Sequence, residues 1–254
     1  MIKQSFTYWS FANKGLSTEE LLKAAAEIGY DAIELIEEHD FALVKKYNLA
    51  ISSHRAHSSL TQGLNHREYH QGIINEVEAN LKLAERWKIS NLICFSGNRN
   101  GISDEEGAEI TAEGLRKVAP LAEATGITLV LELLNSKVDH PDYQCDHTAW
   151  GMKVIEMVDS PNLKLLYDIY HMQIMEGDLI RTIQNNYQHF GHYHTAGNPG
   201  RNEINDQQEI FYPPVLKAIR DTGYTGYIAH ELIPTGDVKA ALKEAFEVCQ
   251  KALS

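Results

Sequence analysis

No apolar run in this 254-residue sequence reaches the ~18 residues that a membrane-spanning helix needs, so no membrane partner is expected. Cysteine is scarce. Cys94, Cys145 and Cys249 are odd in number and widely spaced, which makes neither a disulfide framework nor a zinc pattern and points to a reducing cytoplasm. The first residues, Met1 to Phe6, read as a strand. They lack a basic region, an apolar region and a small-residue cleavage site, so no signal peptide is expected. Positive charge is short: 23 Lys and Arg stand against 35 Asp and Glu, a net charge of −12. That excludes a general nucleic-acid binder and a polybasic membrane contact. It leaves room for one arginine or a metal ion inside a pocket. Low-complexity segments, long linkers and composition shifts are also absent, so residues 1–254 are expected to form one domain. With 43% hydrophobic and 23% charged residues, the chain is neither disordered nor fibrous.

What is present is an alternation of strand-like apolar runs and amphipathic helix-like runs, eight times over. The candidate strands are 2–9, 31–36, 49–53, 90–96, 127–133, 163–168, 189–194 and 226–232. Most are short and rich in Ile, Leu, Val, Tyr or Phe, as buried parallel strands should be. The helices carry their own punctuation. Ser17-Thr18-Glu19-Glu20 has the form of a capping box, followed by Leu21, Leu22, Ala25 and Ile28 on one face and Gly29 as a stop. Ile73, Ile74, Val77, Leu81, Ala84 and Trp87 keep helical spacing. Ser103 opens another helix with Leu115, Val118, Ala119 and Ala122 inward and Gly126 at its end. Asp237 opens the last, with Val238, Ala241, Leu242, Ala245 and Val248 inward.

Strict alternation predicts an α/β fold with parallel strands, and eight units in this length predict a single closed (β/α)8 TIM barrel. An open doubly wound sheet is the runner-up. It usually brings a glycine-rich first turn, and Ser10-Phe11-Ala12-Asn13-Lys14-Gly15 is not one. A barrel places its chemistry at the C-terminal ends of its strands. Four successive candidate strands end there in Glu132, Asp168, His194 and Glu231. Carboxylates at the end of a buried apolar strand are costly unless paired or coordinated, and no Lys or Arg shares those strand tips. A divalent cation would resolve the repulsion. Three oxygen ligands and one imidazole suit Mn²⁺ or Mg²⁺, with Co²⁺ or Zn²⁺ as alternatives.

Other polar residues follow the same ends. His171 lies three past Asp168, Asn135 three past Glu132, and Arg201 seven past His194. The Pro199-Gly200 turn could aim Arg201 at a substrate carboxylate. A loop ion pair is the plain alternative for Arg201, and a turn cap for Asn135. His230 should face the helices as a structural residue, whereas His192 shares the face of His194 and could orient a ligand. His54, His57, His66 and His70 match no metal spacing and read as loop or surface packing. Trp9, Phe11, Trp150 and Phe211 are candidates for pocket walls or for contacts in a homo-oligomer, with core packing as the default.

These motifs resemble the xylose-isomerase-like TIM-barrel superfamily, and within it the hydroxypyruvate isomerase family. The resemblance is carried by Leu131-Glu132-Leu133-Leu134-Asn135, Tyr167-Asp168-Ile169-Tyr170-His171-Met172-Gln173, His192-Tyr193-His194 leading to Pro199-Gly200-Arg201-Asn202-Glu203, and Gly226-Tyr227-Ile228-Ala229-His230-Glu231-Leu232-Ile233-Pro234. It implies that Glu132 and Glu231 are at once metal ligands and the acid/base pair, with Asp168 a further ligand. The strand-7 ligand departs from the family. Hydroxypyruvate isomerases have Gln there, whereas His194 follows the ketose 3-epimerases, which also resemble this chain in placing the counterparts of His171 and Arg201 on the substrate. The resemblance thus implies an isomerase interconverting hydroxypyruvate and tartronate semialdehyde through a metal-stabilised cis-enediolate. A ketose 3-epimerase or 2-oxo-tetronate isomerase is the alternative, and a small hydroxy-keto acid or ketose is the expected partner. A DNA-repair endonuclease would need a basic face and more His ligands, and a retired sensor barrel would have lost a ligand.

Overall fold

The computed structural model describes residues 1–254. Its strands are β1 (Lys3–Phe6), β2 (Ala32–Ile33), β3 (Ala50–Ile51), β4 (Ser53–Arg55), β5 (Asn91–Cys94), β6 (Thr128–Glu132), β7 (Leu163–Asp168), β8 (Phe190–Thr195) and β9 (Tyr227–His230). The helices are α1 (Tyr8–Phe11), α2 (Thr18–Ile28), α3 (Phe41–Lys46), α4 (Arg67–Trp87), α5 (Asp104–Thr125), α6 (Thr148–Val158), α7 (Ile169–Met175), α8 (Leu179–Asn186), α9 (Tyr212–Asp221) and α10 (Val238–Leu253). Every one of the eight predicted strand positions holds extended chain. Seven strands form one parallel sheet in the order β1-β9-β8-β7-β6-β5-β4, and β2 pairs with β3.

Several of the predicted strands are shorter than their apolar runs: strand 1, expected over 2–9, ends at Phe6, and Tyr8 and Trp9 open α1 instead. Strand 2 stops after Ile33 because Leu35 takes a left-handed φ of +54°, which no extended run can contain. Glu34 makes a single bridge to Thr7. The third strand changes partner partway: Ser52 donates its N–H to Ile33, whereas Ser53 begins the pairing with Asn91.

The helix punctuation reads as expected. Ser17 and Glu20 cap each other reciprocally at the start of α2, and Gly29 closes it at φ +115°. Ser103 and Asp237 accept from Glu106 and Ala240 at the starts of α5 and α10. In α10 the last inward position is Cys249, fully buried, with the predicted Val248 only half-buried. All three cysteines are free and buried. No helix is long and apolar enough to cross a membrane.

The chain groups into two units. One comprises Met1–Ser52, Asp178–Tyr187 and Tyr193–Ser254; the other comprises Ser53–Gly177 and Gln188–His192. In the first, β1 pairs with β9 from Lys3↔Tyr227 to Phe6↔His230, and α10 packs on α2 and α9. In the second, β4, β5, β6 and β7 lie side by side behind α4, α5 and α6. Almost every residue of β5, β6 and β7 is buried, the mark of parallel strands covered on both faces.

Candidate active site

In the second unit, Glu132 is the last residue of β6 and Asp168 the last of β7. Both are buried. Asp168 also caps α7: its Oδ1 accepts the N–H of His171 at 2.9 Å. Its Oδ2 lies 3.8 Å from His171 Nε2. The orientation of His171 is fixed from the other side by Asn135. Asn135 Oδ1 accepts the N–H groups of Val138 and Asp139 at 3.0 and 2.9 Å, so its amide nitrogen must face away from them. That nitrogen donates to His171 Nδ1 and to Asp139 Oδ2, both at 2.6 Å. An Nδ1 that accepts carries no proton, so the neutral ring keeps its proton on Nε2, toward Asp168. Asn135 is therefore a turn cap that also sets a tautomer. Tyr170 donates to the same Asp139 oxygen at 2.8 Å.

In the first unit, His194 near the end of β8 and Glu231 one residue past β9 come together, and a third group joins them. His194 Nδ1 is 3.0 Å from Glu231 Oε2, and its Nε2 is 2.7 Å from Glu34 Oε1. Glu231 is held at both oxygens. The Nε1–H of Trp9 donates to Oε1 at 2.8 Å, and Arg201 donates to Oε2 at 2.5 Å. The guanidinium also sits 5.2 Å over the Trp9 ring, a cation–π contact. Burial alone would push the Glu231 carboxyl up; His194 when protonated, the Arg201 guanidinium and the hydrogen bond from Trp9 bring it down. Arg201 thus lies on Glu231, the ion-pair alternative of the sequence reading. Its backbone is left-handed, at φ +59°.

This imidazole between two carboxylates is the arrangement that suits a metal. If the Nε2–H donates a hydrogen bond to Glu34, the neutral ring turns its Nδ1 lone pair toward a carboxylate oxygen 3.0 Å away. Two lone pairs at that distance repel unless a proton or a cation lies beside them. Acidic and imidazole groups of this kind could hold a divalent ion, and nitrogen with oxygen donors is a fitting set for one.

Glu34 was not among the expected site residues. The signal was there: Ile33-Glu34-Leu35 places a lone carboxylate at a strand end just as Leu131-Glu132-Leu133 does. His54, His57 and His70, read from the sequence as loop or surface packing, are buried, whereas His230 takes the structural role expected of it. His230 is fully buried, with Nδ1 2.7 Å from Thr195 Oγ1 and Nε2 3.1 Å from Gln4 Oε1. His57 accepts the N–H of Phe95 at 3.0 Å. His66 and His70 lie 3.1 and 2.7 Å from the carbonyls of Asn98 and Leu64.

The family described as xylose isomerase-like TIM barrel matches residues 22–252. The chain belongs to that family. Among curated relatives, hydroxypyruvate isomerase of Escherichia coli (strain K12) is 33% identical over 168 residues, 66% of this chain and 64% of that protein. The 2-oxo-tetronate isomerase of Cupriavidus necator is 34% identical over 130 residues, 51% of this chain and 49% of that one. The chain spans about half the length of most of the curated relatives it matches. Among solved structures, an AP endonuclease, family 2, from Brucella melitensis superposes with a TM-score of 0.84 at 25% identity, over 95% of this chain and 97% of that chain. The fold is therefore the parallel α/β TIM barrel that the strand–helix alternation predicts.

Proposed function

We propose that this protein is a metal-dependent isomerase that interconverts hydroxypyruvate and tartronate semialdehyde. Glu132, Asp168, His194 and Glu231 would hold a divalent ion, Mn²⁺ or Mg²⁺ first and Co²⁺ or Zn²⁺ as alternatives. The observation that carries the reading is Glu231: a buried carboxylate at a strand end, kept ionised and aimed by Trp9, Arg201 and His194. The 33% identity to a hydroxypyruvate isomerase supports it.

The two three-carbon acids have the same formula, so no co-reactant is needed. One glutamate takes a proton from the hydroxymethyl carbon, and electrons shift to give a cis-enediolate. The other glutamate, entering protonated, gives its proton to the adjacent carbon, the hydroxyl proton passes from the terminal oxygen to the 2-oxygen as the terminal carbonyl forms, and exchange with solvent resets the two glutamates. A bound cation would supply charge stabilisation for the oxygens that become negative. Two carboxylates allow proton removal and return at the two adjacent carbons to be made by separate groups. Positioned acid/base groups contribute about 10²–10⁴-fold each. His171, its tautomer set by Asn135, can donate to a substrate oxygen. Arg201 can grip the substrate carboxylate bidentately. A guanidinium drawn onto the substrate leaves Glu231, which makes that carboxylate a stronger base.

One observation favours a second reading. His194 matches the strand-7 residue of ketose 3-epimerases, and a 2-oxo-tetronate isomerase stands among the relatives at 34% identity. The same glutamate pair would serve a longer substrate. An endonuclease activity, as the Brucella neighbour's name would suggest, fits poorly with a net charge of −12. The test is a comparison of kcat/KM on hydroxypyruvate, 2-oxo-tetronates and ketoses. Hydroxypyruvate preferred by tenfold or more is the expected result; preference for a ketose would move the function to epimerase.

A further inference from the structure

We propose that Glu34 is a positioning residue for the metal site: it holds the proton of His194 on Nε2, so that Nδ1 offers its lone pair to the ion. This rests on the metal reading above.

Glu34 is fully buried, where an unengaged carboxylate would be very costly. Each of its oxygens has its own donors. Oε2 accepts from Ser52 Oγ at 2.8 Å and lies 3.4 Å from Ser5 Oγ. Oε1 faces His194 Nε2 at 2.7 Å. The main chain is pinned as well. The N–H of Glu34 donates to the Phe6 carbonyl at 2.9 Å, and its carbonyl accepts from Tyr8 at 2.8 Å. Leu35 follows at once in the left-handed region, at φ +54°. Side chain and backbone are thus fixed from two flanks, with Oε1 on the imidazole.

Glu34 faces the opposite ring nitrogen from Glu231. A carboxylate on the far nitrogen of a metal-binding histidine selects the tautomer, fixes the ring plane and raises the basicity of the ligating nitrogen. Glu34 has that relationship to His194 and needs no contact with the ion to exert it.

The experiment measures Mn²⁺ dissociation constants by equilibrium dialysis for wild type, E34L, E34Q, H194A and the doubles E34L/H194A and E34Q/H194A. Leucine removes the acceptor at similar volume; glutamine keeps a weaker one. The expected loss of affinity is about 10–100-fold for E34L and smaller for E34Q. Neither substitution should weaken binding further once His194 is alanine. That non-additivity separates an effect through the imidazole from a general loss of structure. If E34L does not fold, E34Q and its double variant carry the same comparison. Wild-type affinity in both E34L and E34Q overturns the inference while leaving the metal site standing. An equal loss with and without His194 also overturns it. A wild-type protein that binds no Mn²⁺ overturns the metal reading and this inference together.

Discussion

The indole N–H of Trp9 donates to Oε1 of Glu231 at 2.8 Å across 222 positions of sequence, from a residue that stays 44% exposed. A hydrogen bond to a charged group is worth about 1.5–3 kcal/mol, and this one fixes the carboxylate proposed to move a proton. W9F should therefore lower kcat by roughly 10–100-fold, with little change in Tm because the ring packs on the surface side of the site. Steady-state kinetics beside a thermal melt checks this. Unchanged kcat would mean that Trp9 does not aim the carboxylate.

The acid/base assignment makes a plain demand. E132Q and E231Q keep the shape of each side chain and remove its ability to take a proton. Each should cost at least about 10²–10⁴-fold in kcat, with circular dichroism like that of wild type. Near wild-type turnover in either variant on every substrate that the parent converts would remove that glutamate from the chemistry.

Gly63 offers a test of packing in the second unit. A Cβ there would lie 2.4 Å from the backbone nitrogen of Gly97 and 2.5 Å from the carbonyl oxygen of Ser96. Main chain cannot step aside as a flexible side chain can. G63A should cost about 1–3 kcal/mol or more, seen as a Tm lower by several degrees. G72A, where a Cβ meets nothing within 4 Å, is the matched control and should not lower Tm.

Two buried histidines tie stability to pH. Burial pulls His57 from the usual 6.5 down to about 4 and His230 down to about 3. Their rings are neutral when folded, and His57 must be so to accept the Phe95 N–H. Between pH 6.5 and these lower values the unfolded chain binds more protons than the folded one. The stability linked to them is full above about pH 6.5 and is lost as pH falls toward 4 and then 3. For His57 the loss is on the order of 3 kcal/mol. The check is a urea-unfolding series at pH 7, 5.5 and 4.5. H57Q, which keeps an acceptor without the titration, should lose less stability than wild type across it.

Much of this was legible in the sequence because it is local or periodic. The Ser17–Glu20 capping box, the Gly29 and Gly126 stops and the apolar face of α4 need only a few residues of context; the caps and stops are in place, and of that face Ile73, Val77, Leu81 and Ala84 are buried while Ile74 and Trp87 are half-buried. Strand ends are legible for the same reason, which is how Glu132, Asp168, His194 and Glu231 stand out. Glu34 escaped because the apolar run 31–36 places it inside a strand rather than at an end, whereas β2 stops at Ile33. The role of Trp9 depends on Glu231 at the far end of the chain. Asn135 stood between turn cap and substrate contact, and only the two backbone donors on its oxygen decide which way its amide points.

The most direct test of the central claim is hydroxypyruvate turnover by chelator-stripped protein, before and after Mn²⁺ or Mg²⁺ is restored. Formation of tartronate semialdehyde should vanish on stripping and return with the ion. Turnover that ignores chelation would contradict the claim, since the strand-end carboxylates and His194 would then hold no ion that the chemistry needs.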